Sequence, residues 1–347
     1  MQDLKAKWAI DLGLGKNPTA RLGAPVSFTS HLASILPGQT QVLGTSGLSN
    51  GYRTPYVIDE IRMQAYMTTP ATTYLQPSYA MAFQFRTGAY AFSLKPVPMV
   101  LYSPRYGMSP ARPGLYLQAP GVPPRGPLLA SEFTPTGDTT YVYGDSARWV
   151  LAKPLWMAPG DQIQCLAERH VTAASSGNGA FAADITYVGR SLPPGTKGPA
   201  TRFVPWASHF IFDFTSDTYA QTTTEFRNQF TFPMTIQKFV GRPLSKATNG
   251  LFDTSGPEGT LPRNTLTNTY YYAQVNIQDS LGYKITNQFS PVGNVFDAER
   301  GVWTFARPLG AREQIDMQFK RAGVLTSPNN ASPIYGVGML GYREERG

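Results

Sequence analysis

The segment Trp149-Val-Leu-Ala-Lys-Pro-Leu155 returns 154 residues later as Trp303-Thr-Phe-Ala-Arg-Pro-Leu309. Tryptophan, alanine, a cation, proline and leucine keep their places in the two segments. Downstream, Ile163 and Ile315 follow the two segments at nearly the same distance. A match of this kind predicts that the chain consists of two copies of one structural unit.

Shorter matches extend the duplication along the chain. They pair Phe28–His31 with Trp206–His209, Pro96–Val100 with Pro291–Val295, and Ile185–Gly189 with Ile334–Gly338. The distance between matched residues changes along the chain, which predicts insertions at 102–147 in the first copy and about 242–268 in the second. The first insertion is rich in proline, which cannot donate to a sheet ladder, so we expect a long loop there.

The pattern inside each copy is that of strands. Apolar and polar residues alternate over Val57–Gln64, and turn pairs such as Pro159-Gly160 and Asn249-Gly250 separate the apolar runs. The 19 Tyr and 19 Phe also favour pleated, half-buried surfaces. The sequence therefore predicts an all-β protein in which each copy supplies about eight strands, arranged as two sheets packed face to face.

The N-terminus predicts one short helix. Leu4, Trp8 and Leu12 share one face, and Lys5 and Lys7 lie beside it. Three apolar side chains cannot hold a helix of this length alone in water, so it must dock elsewhere. Its own domain, a neighbouring subunit and an anionic bilayer are the three candidate docking surfaces.

Composition excludes several classes of protein. The 347 residues exceed a single small domain, and no apolar run is long enough to predict a secretion signal or a membrane span. The net charge of +8 is spread thinly, without the dense basic cluster typical of nucleic-acid binding. The single cysteine, Cys165, allows no internal disulfide and is expected to be buried.

The sequence predicts neither a catalytic site, nor a metal site, nor a cofactor. Its three histidines, His31, His170 and His209, lack ligand spacing. Asp59 and Glu60 are adjacent in a strand pattern and should face opposite sides of a sheet. Asp297 and Glu299 fall where a hairpin turn is expected. We predict core positions instead for the repeat-equivalent residues Trp149, Pro154, Ile163, Trp303, Pro308 and Ile315.

Two tandem β-sandwich copies, a proline-rich excursion at 102–147 and an N-terminal amphipathic helix resemble the double jelly-roll major capsid proteins of tailless icosahedral viruses. That lineage includes membrane-containing bacteriophages and the adenovirus hexon. The resemblance implies an arm over residues 1–22 and two eight-stranded jelly rolls, over 23–200 and 201–347.

The resemblance also implies partners. Three chains would form a homotrimer with a pseudo-six-fold outline, which contacts neighbouring capsomers, penton and minor capsid proteins in a virion assembled in the host cytoplasm. An arm carrying Leu4, Lys5, Lys7, Trp8 and Leu12 would contact a neighbour, an internal membrane or the packaged genome. Two other classes stay open: a phage tail spike or receptor-binding protein, and a two-sandwich carbohydrate-binding protein.

Overall fold

The computed structural model describes residues 25–35, 40–42, 48–49, 54–67, 81–88, 90–102, 144–169, 181–213, 221–228, 233–246, 273–279, 284–296, 302–321 and 332–346. Most of these residues lie in antiparallel β-strands, which confirms the all-β prediction. The predicted N-terminal helix, from Leu4 to Leu12, lies outside the described residues. So do residues 103–143 and 247–268, the greater part of the two predicted insertions.

The first half of the chain forms nine strands in its described part, and a 3-10 turn (Met99–Leu101) follows the sixth. The strands are β1 (Pro25–Ile35), β2 (Thr40–Val42), β3 (Leu48–Ser49), β4 (Tyr56–Met67), β5 (Met81–Thr87), β6 (Val97–Pro98), β7 (Gly144–Met157), β8 (Gln162–Arg169) and β9 (Phe181–Ser191).

The second half forms eight strands in its described part, with a short helix, α1 (Val292–Val295), after the fifth. The strands are β10 (Thr201–Asp213), β11 (Gln221–Arg227), β12 (Met234–Lys246), β13 (Ala273–Asp279), β14 (Ser290–Pro291), β15 (Val302–Leu309), β16 (Gln314–Arg321) and β17 (Ser332–Arg346).

Four sheets arise from these strands, and the two halves order them alike. In the first half, sheet I runs β1-β9-β4-β7 and sheet II runs β2-β8-β5-β6, with β3 also pairing with β8. In the second half, sheet III runs β10-β17-β12-β15 and sheet IV runs β11-β16-β13-β14. We count β2 and β3 as one interrupted strand and number the strands of each half from 1 to 8 along the chain. In both halves the two sheets then have the strand orders 1-8-3-6 and 2-7-4-5. The duplication therefore extends to the topology.

A shared irregularity fixes the register between the halves. The β4–β9 ladder shifts between Ile58 and Glu60, and the β12–β17 ladder shifts between Ile236 and Lys238. Gly189 pairs with Ile58 and Gly341 pairs with Ile236. A Cβ atom on either glycine would lie about 2 Å from a carbonyl oxygen of the neighbouring strand, at 1.8 Å for Gly189 and 2.0 Å for Gly341. Both bulges therefore require glycine opposite them.

This register corrects three of the sequence matches. Gly189 corresponds to Gly341 and not to Gly338, so that match is wrong by three residues. His31 pairs with Asp184, whereas His209 pairs with Gly338 and has Thr29 as its counterpart. Pro98 and Pro291 each precede the helical turn with nearly the same φ and ψ, so Pro291 corresponds to Pro98 and not to Pro96. The mismatches at His31 and at Pro96 are slips of two residues. Such a slip keeps each side chain on the same face of its strand, so the apolar pattern still matches.

The matched segments that begin at Trp149 and Trp303 agree only at their start. Trp149 pairs with Ile61 and Trp303 with Phe239, which are equivalent positions past the two bulges. Beyond them, β7 has four residues, 151–154, opposite the bulge, whereas β15 has two, 305–306. Pro154 consequently has no counterpart in the ladder. Pro308 is exposed, so its predicted core position is wrong.

The halves have separate cores that meet at one side. The core of the second half includes Trp206, Ile236, Phe239, Ile315 and Met339. The core of the first half lies between sheets I and II, and it also takes in four residues of the second half. Those four are Val204, Ala207, Val240 and Leu340.

Candidate functional site: the join between the halves

The adjacent carboxylates Asp59 and Glu60 of sheet I pair with arginine. The bulge places Asp59 and Glu60 together between the core residues Ile58 and Ile61, so both face outward, contrary to the expected alternation. Asp59 accepts two hydrogen bonds of 3.0 Å from Arg190. Glu60, 6% exposed, accepts from Arg62 at 2.7 Å and from Arg148 at 2.6 Å. Asp59 and Glu60 are therefore each held in ion pairs with arginine.

The other reactive side chains are also dispersed. His31 Nδ1 lies 2.7 Å from Asp184 Oδ1 on an exposed surface, and His209 is buried in the other half. Burial raises the pKa of the Cys165 thiol, so this cysteine is an inert core residue. Within the described ranges, no group of three His, Cys, Asp or Glu side chains could hold a metal ion. His170, Asp297 and Glu299 lie outside the described residues.

A cleft of about 300 Å³ lies where the halves meet. Tyr90, Trp156, Asp161 and Arg202 line it. The Arg202 guanidinium lies 5.2 Å from the Trp156 ring centroid, and Gly198 packs so close to the same ring that an added Cβ would lie 3.0 Å from it. The Trp156 ring therefore packs against Arg202 and Gly198 of the chain itself.

The join itself is an apolar contact between unlike surfaces. Residues 97–102 of the first half are buried throughout, and they pack on the outer surface of sheet III. At the centre of this contact, a Cβ on Gly338 would lie 2.7 Å from the Leu101 carbonyl oxygen. We define the covered face as the part of sheet III formed by Ala207, Lys238, Val240, Gly338 and Leu340, whose three apolar side chains are at most 1% exposed. At Ala207, Val240 and Leu340, sheet III is consequently buried on its outer face as well as on its inner face.

Polar contacts along the edge of the join align the two halves. The Ala207 backbone N–H donates to the Phe92 carbonyl at 2.7 Å, which ties β10 to the first half. The Lys153 ammonium lies 4.9 Å from the Phe203 ring centroid. The Arg343 guanidinium lies 6.0 Å from the Tyr90 ring centroid. These cation–π contacts add orientation to the apolar join.

Lys238 is the one charged member of the covered face. Burial, together with the nearby Arg148 guanidinium of the first half, lowers the pKa of Lys238 from 10.5 to about 8. Its counterpart in sheet I is Glu60, because both residues follow the bulge in their strands. The position tolerates either sign of charge, so the duplication preserves the backbone irregularity and not the side chain.

The equivalent surface of sheet I is open. We define the open face as the part of sheet I formed by Ser27, Thr29, Arg62, Val150, Thr186 and Val188. Ser27, Thr29, Arg62 and Val150 are exposed, and the Thr29 and Thr186 hydroxyls lie 3.0 Å apart. The ladders give the counterparts of these residues on sheet III. Ser27 corresponds to Ala207, Val188 to Leu340, Thr29 to His209, Thr186 to Gly338 and Arg62 to Val240. No residue of the described part of the chain covers this face.

Most of the predicted core residues can be placed. Trp149 (2% exposed), Ile163 and Ile315 are buried, as is Pro154. Trp149 lies within 6.4 Å of the Phe85, Phe92 and Tyr102 rings, measured between centroids. The side chain of Trp303 falls outside the described part of the structure. Sequence reasoning missed the covered face, although the apolar Val240 opposite Gly338 in a two-sided strand pattern is a signal for it.

Comparison with known proteins gives likenesses of structure alone. No family model matches the chain, and no curated protein matches it. The chain is similar to the crystal structure of the major capsid protein (MCP) of Sulfolobus Turreted Icosahedral Virus (STIV). The identity is 14%, the TM-score is 0.48, and the match covers 92% of this chain and 97% of the other. It is also similar to the mavirus major capsid protein, with 10% identity, a TM-score of 0.35 and coverage of 92% and 87%. We therefore base the functional proposal on the strand order and contacts of the chain itself.

Proposed function

We propose that the chain is the structural major capsid protein of an icosahedral virus and that each half is a jelly roll. The orders 1-8-3-6 and 2-7-4-5 in both halves support this, because two four-stranded sheets joined in this way are the eight-stranded jelly-roll arrangement found in viral capsid domains. The boundary between the jelly rolls falls at about residue 200, within the link from β9 to β10.

The observation that carries the proposal is the unlike join between like halves. Residues 97–102 of one half pack on the outer sheet of the other, so the contact is heterologous. A heterologous contact closes into a ring when its rotation divides a full turn, and it otherwise gives an open filament. Three chains of two halves each would give six similar bodies, a homotrimer with a pseudo-six-fold outline that tiles a shell with neighbouring capsomers, penton and minor capsid proteins.

The side chains of the described part support a structural role over an enzymatic one. Asp59 and Glu60 are paired with arginine, and Cys165 is fully buried. The Trp156 ring in the cleft between the halves packs against Arg202. The features that distinguish this chain are packing surfaces, and packing surfaces are what a shell requires.

We assign the N-terminal arm to contacts inside the virion. Its Leu4, Trp8 and Leu12 stripe with Lys5 and Lys7 alongside suits an internal membrane, the packaged genome or a neighbouring subunit. Among the described residues, no helix is long and apolar enough to cross a membrane. Deletion of residues 1–15 should leave the trimer folded and impair shell assembly or vesicle binding. A chain that no longer folds after this deletion would place the arm in the core instead.

Purified protein tests the proposal directly. Native mass spectrometry should give the mass of three chains, and negative-stain images should show compact particles of near-hexagonal outline. Long, thin particles would instead favour the tail-spike alternative. Measurable binding on a glycan array would favour the carbohydrate-binding alternative. A chain that stays monomeric at high concentration would contradict the trimer.

A further inference from the structure

The cleft between the halves is formed by three segments of the backbone. The end of β5 and the turn after it supply Thr87 and Tyr90, the turn from β7 to β8 supplies Asp161, and the start of β10 supplies Arg202 and Val204. Every residue that lines the cleft belongs to the described part of the chain. Its volume of about 300 Å³ lies at the lower end of the range for ligand-binding cavities. The cleft is therefore large enough to receive a small ligand or a side chain of another protein.

Arg202 brings a guanidinium without an ion pair to this cleft. Its cross-strand neighbour is Glu345, but Glu345 accepts a hydrogen bond from Arg343 on its own strand. Among the described residues, Arg202 forms no ion pair. The contact with the Trp156 ring, at 5.2 Å from the centroid, holds the charge in place. The N–H groups of a guanidinium form a fork that matches a carboxylate, so Arg202 is placed to bind one.

Asp161 brings the opposite charge to the same cleft. Its Oδ2 atom accepts a hydrogen bond of 2.7 Å from the Ala158 backbone N–H, which closes the turn from β7 to β8. The described residues supply no donor to its other carboxylate oxygen. Asp161 and Arg202 line one cleft without forming an ion pair with each other. A ligand that satisfies both must carry an anion and, close to it, a hydrogen-bond donor.

The remaining surface of the cleft is partly apolar and open. Leu155 and Val204 are buried apolar side chains. Tyr90 packs against the core of the first half, and its hydroxyl has no hydrogen-bond partner among the described residues. At the lining residues Gly88 and Gly160, an added Cβ would have no atom of the described chain within 4 Å. The cleft therefore offers an apolar contact and a further hydroxyl to a ligand that enters it.

We propose that this cleft binds an acidic side chain, aspartate or glutamate, of a peptide segment from a partner protein. The carboxylate accepts two hydrogen bonds from the Arg202 guanidinium, and a peptide N–H beside it donates to Asp161. The methylene groups of the acidic side chain contact Leu155 and Val204. Free phosphate fits less well, because Asp161 repels its greater negative charge.

A peptide in this cleft contacts both halves of the chain at once. Tyr90 and Asp161 belong to the first half, and Arg202 and Val204 belong to the second. Because the cleft exists only when the halves are joined, the bound peptide should raise the midpoint of thermal unfolding. One chain supplies every wall of the cleft, so this binding does not depend on the proposed trimer.

Two blocked peptides that differ only in charge test the site on the full chain. The probe is N-acetyl-Gly-Glu-Gly-amide, and its control is N-acetyl-Gly-Gln-Gly-amide. In a ligand-observed NMR titration, the acidic peptide should bind with a dissociation constant of about 1 mM, and the neutral peptide should bind at least about tenfold more weakly. Inorganic phosphate is the third ligand and should also bind more weakly than the acidic peptide.

Three variants place the binding in the cleft. Arg202→Gln should weaken the acidic peptide at least about tenfold, because the carboxylate loses both donors. Gly88→Tyr should have the same effect by filling the cleft, and it should fold because Gly88 is exposed with room for a side chain. Lys197→Gln is the control, since it removes an equal charge at an exposed position outside the cleft, and it should change binding less than about twofold. Circular dichroism checks that each variant is folded.

The outcomes separate this inference from the proposed function. Binding of the acidic peptide that is weakened by Arg202→Gln and Gly88→Tyr but not by Lys197→Gln supports the inference. Absence of binding, equal binding of the two peptides, tighter binding of phosphate, or binding that Gly88→Tyr leaves unchanged would overturn it. A trimeric parent that binds no peptide would leave the capsid proposal standing. A monomeric parent that binds the acidic peptide would contradict the trimer and support the inference.

Discussion

The outer faces of sheets I and III share their strand order and their bulge, but they differ in what lies on them. On sheet III, Ala207, Val240 and Leu340 are buried under the first half of the chain. On sheet I, the corresponding Ser27, Arg62 and Val188 are exposed or partly exposed. The inner faces remain alike, because both pack against a second sheet. A duplicated unit therefore keeps its backbone and its inner core, and its outer face changes according to what covers it.

The largest expected effect comes from placing a charge at equivalent positions of the two faces. Ala207→Arg would bury an unpaired guanidinium and overpack the join, which we expect to lower the free energy of unfolding by about 4 kcal/mol. Ser27 is exposed on sheet I, so the matched Ser27→Arg should change the free energy of unfolding by less than about 0.5 kcal/mol. Chemical denaturation in dilute solution, where association contributes little, measures both. Equal effects would mean that the two faces do not differ as described.

The second effect is steric. Gly338→Val would force a side chain against the backbone of Leu101, with the Cβ 2.7 Å from its carbonyl oxygen, and should cost about 3 kcal/mol. The control is Thr186→Val at the equivalent position of sheet I, where the open face has room and the loss of the Thr29 hydroxyl contact should cost about 0.5 kcal/mol. The midpoints of urea denaturation give both values. A neutral Gly338→Val would contradict the close packing of the join.

The smallest effect is electrostatic, and it has a defined pH range. Because burial lowers the pKa of Lys238 to about 8, the protonated side chain is a cost in the folded state at pH 7. Lys238→Met should therefore raise the free energy of unfolding by about 1 kcal/mol at pH 7. Between pH 8 and 10.5, the folded parent loses this proton while the unfolded chain keeps it, so the parent gains stability and the difference shrinks.

Thermal unfolding of the two proteins from pH 7 to pH 10.5 follows this difference. Lys284→Met, at an exposed position of the second half, is the matched control and should show no pH-dependent gap from the parent. A gap for Lys238→Met that stays constant across this range would mean that the lysine is not desolvated at the join.

Some of this architecture could be predicted from residue patterns. The match of Trp149 with Trp303 predicted the duplication, and the two tryptophans occupy equivalent ladder positions. The buried Ile163 and Ile315 follow the same alternation, since period-2 patterning identifies the inner face of a strand. The exposed Pro308 shows the limit of matching, because the bulge in β7 is longer than that in β15 and shifts the second part of the segment.

By itself, the sequence determined that the chain is all-β and duplicated, because alternation and repetition are properties of neighbouring residues along the chain. Only the tertiary structure decided that Gly338 lies against Leu101 and that Val240 is buried in the same cluster, while Thr186 and Arg62 face outward. The physical reason is that an apolar residue on the outer face of a strand does not specify its partner. That partner is a segment more than 130 residues away in the chain, and it is brought into contact by the packing of one half on the other.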